Sequence, residues 1–378
     1  MIWLTWRQFR AQAITGVAAV ALFAILLAVT ESHMTSLYDA SGIVGCHGGA
    51  CTGAANQFLT NLTSGQGVSF LPAGANAYVI LYFLSVLFIL IAPAVVGSFW
   101  GAPLIARELE TGTARVAWNQ SVTRTRWLAV KLALIGIAAM AVTEALSLVQ
   151  AWWAAPIGKA VGLGGSASIM GEGRFGQFVF PSHGITPLGY AAFGFALGVT
   201  AGFLIRRAIP AMAVTLAIFA VVQFVTPLWI RPNLLPSSHT IATIAAAGAN
   251  VTSVFTITNV TNVTNVTHAG SPQFALSAAA VPGQPGAWIT SSGAVNVAGQ
   301  PVSGMPAACA SVTPGNLGPG GSAVLNNCLA SHGVRVALSY HPVSQFWPLQ
   351  FAETGLFLVL ALALAWYCFW RLNRRFSV

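Results

Sequence analysis

Six apolar runs, near 13–30, 78–100, 131–153, 187–205, 209–230 and 348–370, are each long enough as a helix to cross about 30 Å of hydrocarbon. Nothing else in the chain restricts its fold so strongly, because backbone N–H and C=O groups inside a bilayer must bond within their own segment. With 56% hydrophobic and 6% charged residues over 378 positions, a soluble fold would have nowhere to hide this much apolar surface. The expected architecture is an all-α polytopic membrane protein. It has six transmembrane helices and a large extracytoplasmic segment between the fifth and the sixth.

Charge sets the expected orientation. The formal net charge of +9 could suggest nucleic acid, but the chain has no bare basic patch, and its cations flank the apolar runs instead. No nucleic-acid partner is expected. With the N-terminus in the cytosol, Arg7, Arg10, Arg107, Arg115, Arg124, Arg126, Lys131, Arg206, Arg207, Arg371, Arg374 and Arg375 all fall on the inner side, twelve of the 16 basic residues. Lys159, Arg174, Arg231 and Arg335 remain outside. Tryptophans agree: Trp3, Trp6, Trp100, Trp127, Trp366 and Trp370 mark the inner interface, and Trp152, Trp153, Trp229 and Trp347 the outer one. The first run has no small-residue cleavage site and continues into Glu31-Ser32-His33-Met34, so it reads as a retained span. The expected location is a bacterial plasma membrane, crossed several times, with both termini cytosolic. An Ala-, Gly- and Arg-rich, Lys-poor composition points to a high-GC bacterium.

Domain organisation follows from these spans. Residues 1–12 carry Trp3, Trp6, Arg7 and Arg10 in an amphipathic pattern and are expected to form a cytosolic interfacial helix. Residues 13–230 hold the first five spans, with a cytosolic loop at 101–131. Residues 348–378 are the sixth span and a basic tail. Between them, 231–347 is rich in Gly, Pro, Ser, Thr, Val and Ala and reads as short strands and turns of an external region. Within it TNVTNVTNVT, at 258–267, is a three-residue repeat that reads as a Thr/Val-rich edge strand or turn and also matches a glycosylation acceptor pattern. Cys46 and Cys51 share one external loop, and Cys309 and Cys328 share another. In an oxidising compartment two local disulfides are the simplest arrangement, with cross-pairing left open. His33, Cys46, His47 and Cys51 as a metal set is the lesser alternative, and no metal is expected.

The segment Gly101–Lys131 is a charged, turn-bearing island between two apolar runs, holding Arg107, Glu108, Glu110, Arg115, Arg124, Arg126 and Lys131. Helix is expected through Glu110, with Thr111-Gly112-Thr113 breaking it. A short amphipathic helix from Ala114 to Trp118 follows, and Ser121 or Thr123 caps the third span. Orientation alone would need two or three arginines. An acidic helix end followed by a capped reversal is more than that, and it suggests a surface offered to a cytosolic partner.

RELETGT at 107–113, followed by SVTRTRWLAVK at 121–131, resembles the first cytoplasmic loop of ATP-binding-cassette exporter permeases of the ABC-2 class, especially actinobacterial ones. MIWLTWRQFRAQ at the start and GYAAFGFALGVTAGFLIRRAIPAMAV at 189–214 are similar to the corresponding parts of that family. The resemblance implies a permease subunit that pairs with a second permease subunit as a homodimer. Its energy would come from two cytosolic ATPase subunits. It makes Arg107, Glu108, Glu110, Gly112, Thr113, Arg115 and Trp118 the candidates for ATPase coupling, and places Trp3, Trp6, Arg7 and Arg10 against membrane lipid. ATP and Mg would be bound by the partner, with no cofactor on this chain. The residues agree: the only Gly-Lys pair, Gly158-Lys159, is followed by Ala160 and has Trp153 where a phosphate loop needs glycine. The chain by itself is expected not to be an enzyme.

Two carboxylates, Glu144 and Glu353, lie within apolar runs, where a charge costs about 2.5–3.5 kcal/mol even on permissive scales. No span offers either of them a lysine or arginine. Glu144 is expected to be protonated or bonded to a neighbouring helix, and Glu353 to lie shallow enough to reach headgroup water. Besides an exporter of a hydrophobic or amphipathic substrate, two other functions fit a six-span chain. One is a proton-coupled secondary transporter using Glu144, and it lacks the expected inverted repeats. The other is a membrane-anchored sensor or enzyme acting through its external region, which offers no acid/base pair or Ser-His-Asp cluster.

Overall fold

The computed structural model describes residues 2–47, 50–64, 77–111, 123–164, 173–255, 273–302, 304–309 and 321–375. Its helices of eight residues or more are α1 (Ile2–Ala40), α2 (Ala50–Ser64), α3 (Ala77–Val96), α4 (Ala102–Glu110), α5 (Arg124–Trp153), α6 (Ala155–Gly162), α7 (Thr186–Ile205), α8 (Ala208–Val225), α9 (Gly321–Ser331) and α10 (Phe346–Arg375). Its strands are β1 (Ser238–Thr243), β2 (Asn250–Phe255), β3 (Gln273–Ser277), β4 (Trp288–Val295) and β5 (Arg335–His341). Two compact units result, one of residues 1–234 and 346–378, the other of 235–345.

Among the described residues, six helices are long and apolar enough to cross a membrane: Phe9–Ala40, Ala77–Glu108, Thr125–Trp153, Thr186–Ile205, Ala208–Asn233 and Val343–Arg374. The chain is therefore a multi-pass membrane protein. Their order is the one read from the sequence, and their lengths differ from it. α1 runs unbroken from Ile2 to Ala40, so the residues expected to form a separate interfacial helix are its first turns. Phe9 explains this. It is buried at 2% exposure and meets the Trp100 ring edge-on at 5.2 Å, which fixes the amino-terminal turns to the bundle while Trp3 and Trp6 stay exposed. α3 likewise continues through a π-turn at Gly97–Gly101 into α4.

α7 is the central helix and is buried along nearly all its length. Its glycines Gly194, Gly198 and Gly202 recur every four residues and so share one face. Against that face lies the backbone of the π-turn and α4. A Cβ on Gly198 would fall on the carbonyl oxygen of Gly97, and one on Gly202 on that of Ala102. On Gly194 it would lie 2.7 Å from the Pro93 oxygen, and on Gly101 it would lie 2.6 Å from the Phe195 oxygen. Small residues at such crossings let helices in lipid gain dispersion energy from backbone contact, since hydrophobic expulsion is not available there. Arg206 takes the left-handed conformation, φ 57°, and closes α7 with its N–H donating to Gly202 O at 3.0 Å. Arg207 follows, and α8 begins at Ala208.

The second unit limits the all-α expectation to the membrane helices, since it contains the five strands found among the described residues, in the region read as strands and turns. β1, β5 and β4 form an antiparallel sheet in that order, with Ser238 opposite Tyr340 and Val295 opposite Arg335; β2 and β3 pair antiparallel. Ser292 Oγ donates to Leu276 O at 2.8 Å and ties the pair to the sheet. Phe274, Leu276, Leu325, Leu329, Val336 and Leu338 form its core. The Thr-Asn-Val repeat at 258–267 lies outside the described residues.

Both local disulfides are present: Cys46–Cys51, with Cα atoms 5.2 Å apart, and Cys309–Cys328, 5.9 Å apart. The first fixes the segment after α1 to the start of α2, and the second holds α9 to the turn at Ala307–Cys309. Cys368 is a free, buried packing residue. His332 lies near Cys309 and Cys328, and their disulfide occupies both sulfurs.

Candidate functional site

Three groups of polar residues are set into the apolar bundle. The first is the base of the charged loop. Thr111 closes α4, its N–H donating to Arg107 O at 2.9 Å and its Oγ1 to the same oxygen at 2.8 Å. Thr123 opens α5, its Oγ1 accepting from the Arg126 N–H at 3.4 Å; of the two caps expected, this is the described one. Between the two helix ends, Lys131 forms an ion pair with Glu108 and lies over the Trp127 ring at 4.8 Å. Lys131 is buried at 3% exposure, and its ammonium is satisfied by a carboxylate 23 positions away. The pair clamps the two ends of the loop together. Arg107 and Glu110 remain exposed beside it. Gly112, Thr113, Arg115 and Trp118 lie outside the described residues.

The second group overturns the reading that no span offers a carboxylate a cationic partner. Glu353 is fully buried, and Arg231 grips it as a fork, Nε to Oε2 at 2.7 Å and Nη2 to Oε1 at 3.0 Å. Tyr190 of α7 donates to the same Oε1 at 2.9 Å, and the guanidinium lies over the Phe180 ring at 4.2 Å. Three strong donors on one carboxylate offset the cost of removing it from water. Arg231 reads as an external-loop residue because the apolar run of the fifth span stops at Ile230. The helix does not stop there: a π-turn at Thr226–Ile230 and a 3-10 turn at Arg231–Asn233 carry the arginine back into the bundle.

Gln350, which the sequence reading missed, stands one turn before Glu353 on α10. Its Oε1 accepts from the Thr186 N–H at 3.1 Å and from the Thr186 hydroxyl, and its Nε2 donates to Phe180 O at 3.1 Å. The Gln350-x-x-Glu353 spacing on an apolar helix is the signal that could have found both.

The third group is unpaired. Glu144 is half-buried, and its Oε2 has no hydrogen-bond partner among the described residues, so the expected bond to a neighbouring helix is not seen at that atom. Gln150, two turns on, is fully buried with both amide atoms unpartnered among the same residues.

His183 lies between the third and fourth spans. Its Nδ1 donates to Val179 O at 2.9 Å, which leaves Nε2 the acceptor. Burial holds its pKa below the usual 6.5, and the nearby positive charge of Arg174 pushes the same way. The folded state thus binds fewer protons here than the unfolded one, so the chain is expected to lose stability as pH falls below about 6.5. His183→Asn should flatten that acid limb in thermal unfolding of the solubilised chain. The same limb in variant and parent would contradict it.

Residues 17–231 match the protein family described as ABC-2 membrane transporter related. No curated protein and no solved structure matches the chain.

Proposed function

The chain belongs to the ABC-2 membrane transporter related family, and we propose that it is the permease subunit of an exporter driven by ATP hydrolysed on separate cytosolic subunits. Family membership implies partnership with an ABC ATPase. The observation that carries the proposal is the span of the match, which runs from within the first membrane helix to the end of the fifth and includes the charged loop.

In this reading the loop is the ATPase contact. The clamp between Glu108 and Lys131 holds its two ends together, so a force applied to the loop reaches the second and third spans jointly. Arg107 and Glu110 face solvent beside the clamp, free to meet a partner, and Arg115 and Trp118 would complete the surface. Two ATPase subunits serve a homodimer of this chain, and ATP and Mg are held entirely by the ATPases. Residues 235–345 stand on the extracytoplasmic face, and both termini are cytosolic, as the distribution of arginine favours. The membrane is the bacterial plasma membrane, and the cargo is hydrophobic or amphipathic.

Glu110→Ala combined with Trp118→Ala is expected to weaken ATPase association at least tenfold while leaving insertion and permease pairing intact. Interfaces of this kind depend on a few aromatic and charged anchors, whereas orientation depends on total positive charge, which neither change alters. Co-purification with the ATPase from native membranes reads the effect. Correctly inserted protein with unchanged ATPase binding and transport would leave the loop as an orientation signal only.

A further inference from the structure

Four cations oppose the proposed orientation: Lys159, Arg174, Arg231 and Arg335. Arg231 is explained by Glu353, and Arg335 belongs to strand β5. The other two line one cavity.

That cavity has a volume of about 420 Å³ and lies within the membrane unit, among the end of α5, α6, the turn at Gly173–Phe175 and the start of α10. Its size falls in the roughly 300–1,000 Å³ range of small-molecule sites. Leu148, Ile157, Val161 and Trp347 supply apolar wall, and Lys159 and Arg174 are exposed residues. Among the described residues no carboxylate lines the cavity, and neither cation has an ion-pair partner. His183 also lines it and, held neutral, brings a dipole without a third charge.

We propose that this cavity binds a single-tailed amphiphile with an anionic head, phosphate or carboxylate. The head sits between Lys159 and Arg174, and the tail lies along Leu148, Ile157, Val161 and Trp347. Two cations beside an apolar wall are complementary to that chemistry and to neither half of it alone. A neutral tail would leave the cations unused, and a free anion would leave the apolar wall wet. Because the cations are exposed, the contribution of the head is expected to weaken as salt rises. Placing the site on the outer face rests on the proposed orientation, whereas the binding chemistry does not.

The test uses the full chain alone, in an uncharged maltoside detergent, with dodecyl phosphate titrated and occupancy read by native mass spectrometry. One saturable site is expected, binding dodecyl phosphate at least tenfold more tightly than dodecanol. Lys159→Gln with Arg174→Gln should remove that tenfold preference and leave dodecanol binding unchanged. The exchange Lys159→Arg with Arg174→Lys should retain the preference and so controls for folding. Ala151→Trp, which fills the cavity, should abolish binding of both. Equal affinity for phosphate and alcohol, or an unaltered double variant, would overturn the proposal. Displacement of dodecyl phosphate by equimolar inorganic phosphate would overturn the amphiphile and assign a free-anion site. The ATPase takes no part, so failure here leaves the coupling proposal standing, and failure of ATPase association leaves this site standing.

Discussion

Arg231→Met is expected to destabilise the solubilised chain by about 3–5 kcal/mol, the usual cost of leaving one member of a buried ion pair without the other. Among the described residues Glu353 would keep only the Tyr190 hydroxyl, and the carboxylate is fully buried. Its carboxylate must then take up a proton or move, and either change loosens the contact between α7 and α10. Removing both charges, Arg231→Met with Glu353→Leu, should recover most of the loss, because an apolar pair of similar volume has no charge to desolvate. Unfolding in a denaturing detergent, read for each single variant and the double, forms the cycle. Additive losses would show that the two residues do not act as a pair. A single variant within about 1 kcal/mol of the parent would show that water reaches the site.

Gly198→Leu should be of comparable size. Its Cβ would occupy the position of the Gly97 carbonyl oxygen, so the helices must separate before any side chain fits. Overpacking costs about 1–3 kcal/mol where neighbours can shift, and here the neighbour is backbone, which yields less readily than a side chain. Gly198→Ala already suffices to clash and should reproduce much of the effect. Gly355 of α10 is the contrasting case, since nothing lies within 4 Å of a Cβ built there. Gly355→Ala should be neutral, or stabilising by up to about 1 kcal/mol through helix propensity. Equal responses at the two positions would mean that the seam between α4 and α7 is looser than its geometry indicates.

These two positions also mark what a reader of the sequence can see. The six spans, two local disulfides as the simplest pairing, a cap at Ser121 or Thr123 and the strands between the fifth and sixth helices were legible, because each depends on local period, local composition or neighbouring cysteines. Arg231 and Glu353 were not legible as a pair. They are 122 positions apart, and the decisive fact, that a helix persists past its apolar run, leaves no trace in hydropathy. The glycines of α7 were visible at four-residue spacing, yet their spacing does not say which backbone they meet. The continuous α1 was obscured by Trp3, Trp6, Arg7 and Arg10, whose amphipathic pattern suits an interfacial helix as well as the first turns of a span. Of the candidate coupling residues, Glu108 has a described role in the clamp, which shifts its reading from contact residue to brace.

The glycine seam has a mechanical meaning. Ordinary helix contacts are upholstered with side chains, and a displacement on one side is partly absorbed as rotamers yield on the other. Between the π-turn and α4 on one side and α7 on the other, the carbonyls of Gly97 and Ala102 rest on the glycines Gly198 and Gly202, so no side chain there can yield. Under the proposed coupling, a shift entering at Glu110 would pass along α4 to α7, and Tyr190 would hand it to Glu353 on α10. That train would have backbone contact at its first joint and a buried hydrogen bond at its last. Its stroke is then set by how far the loop moves.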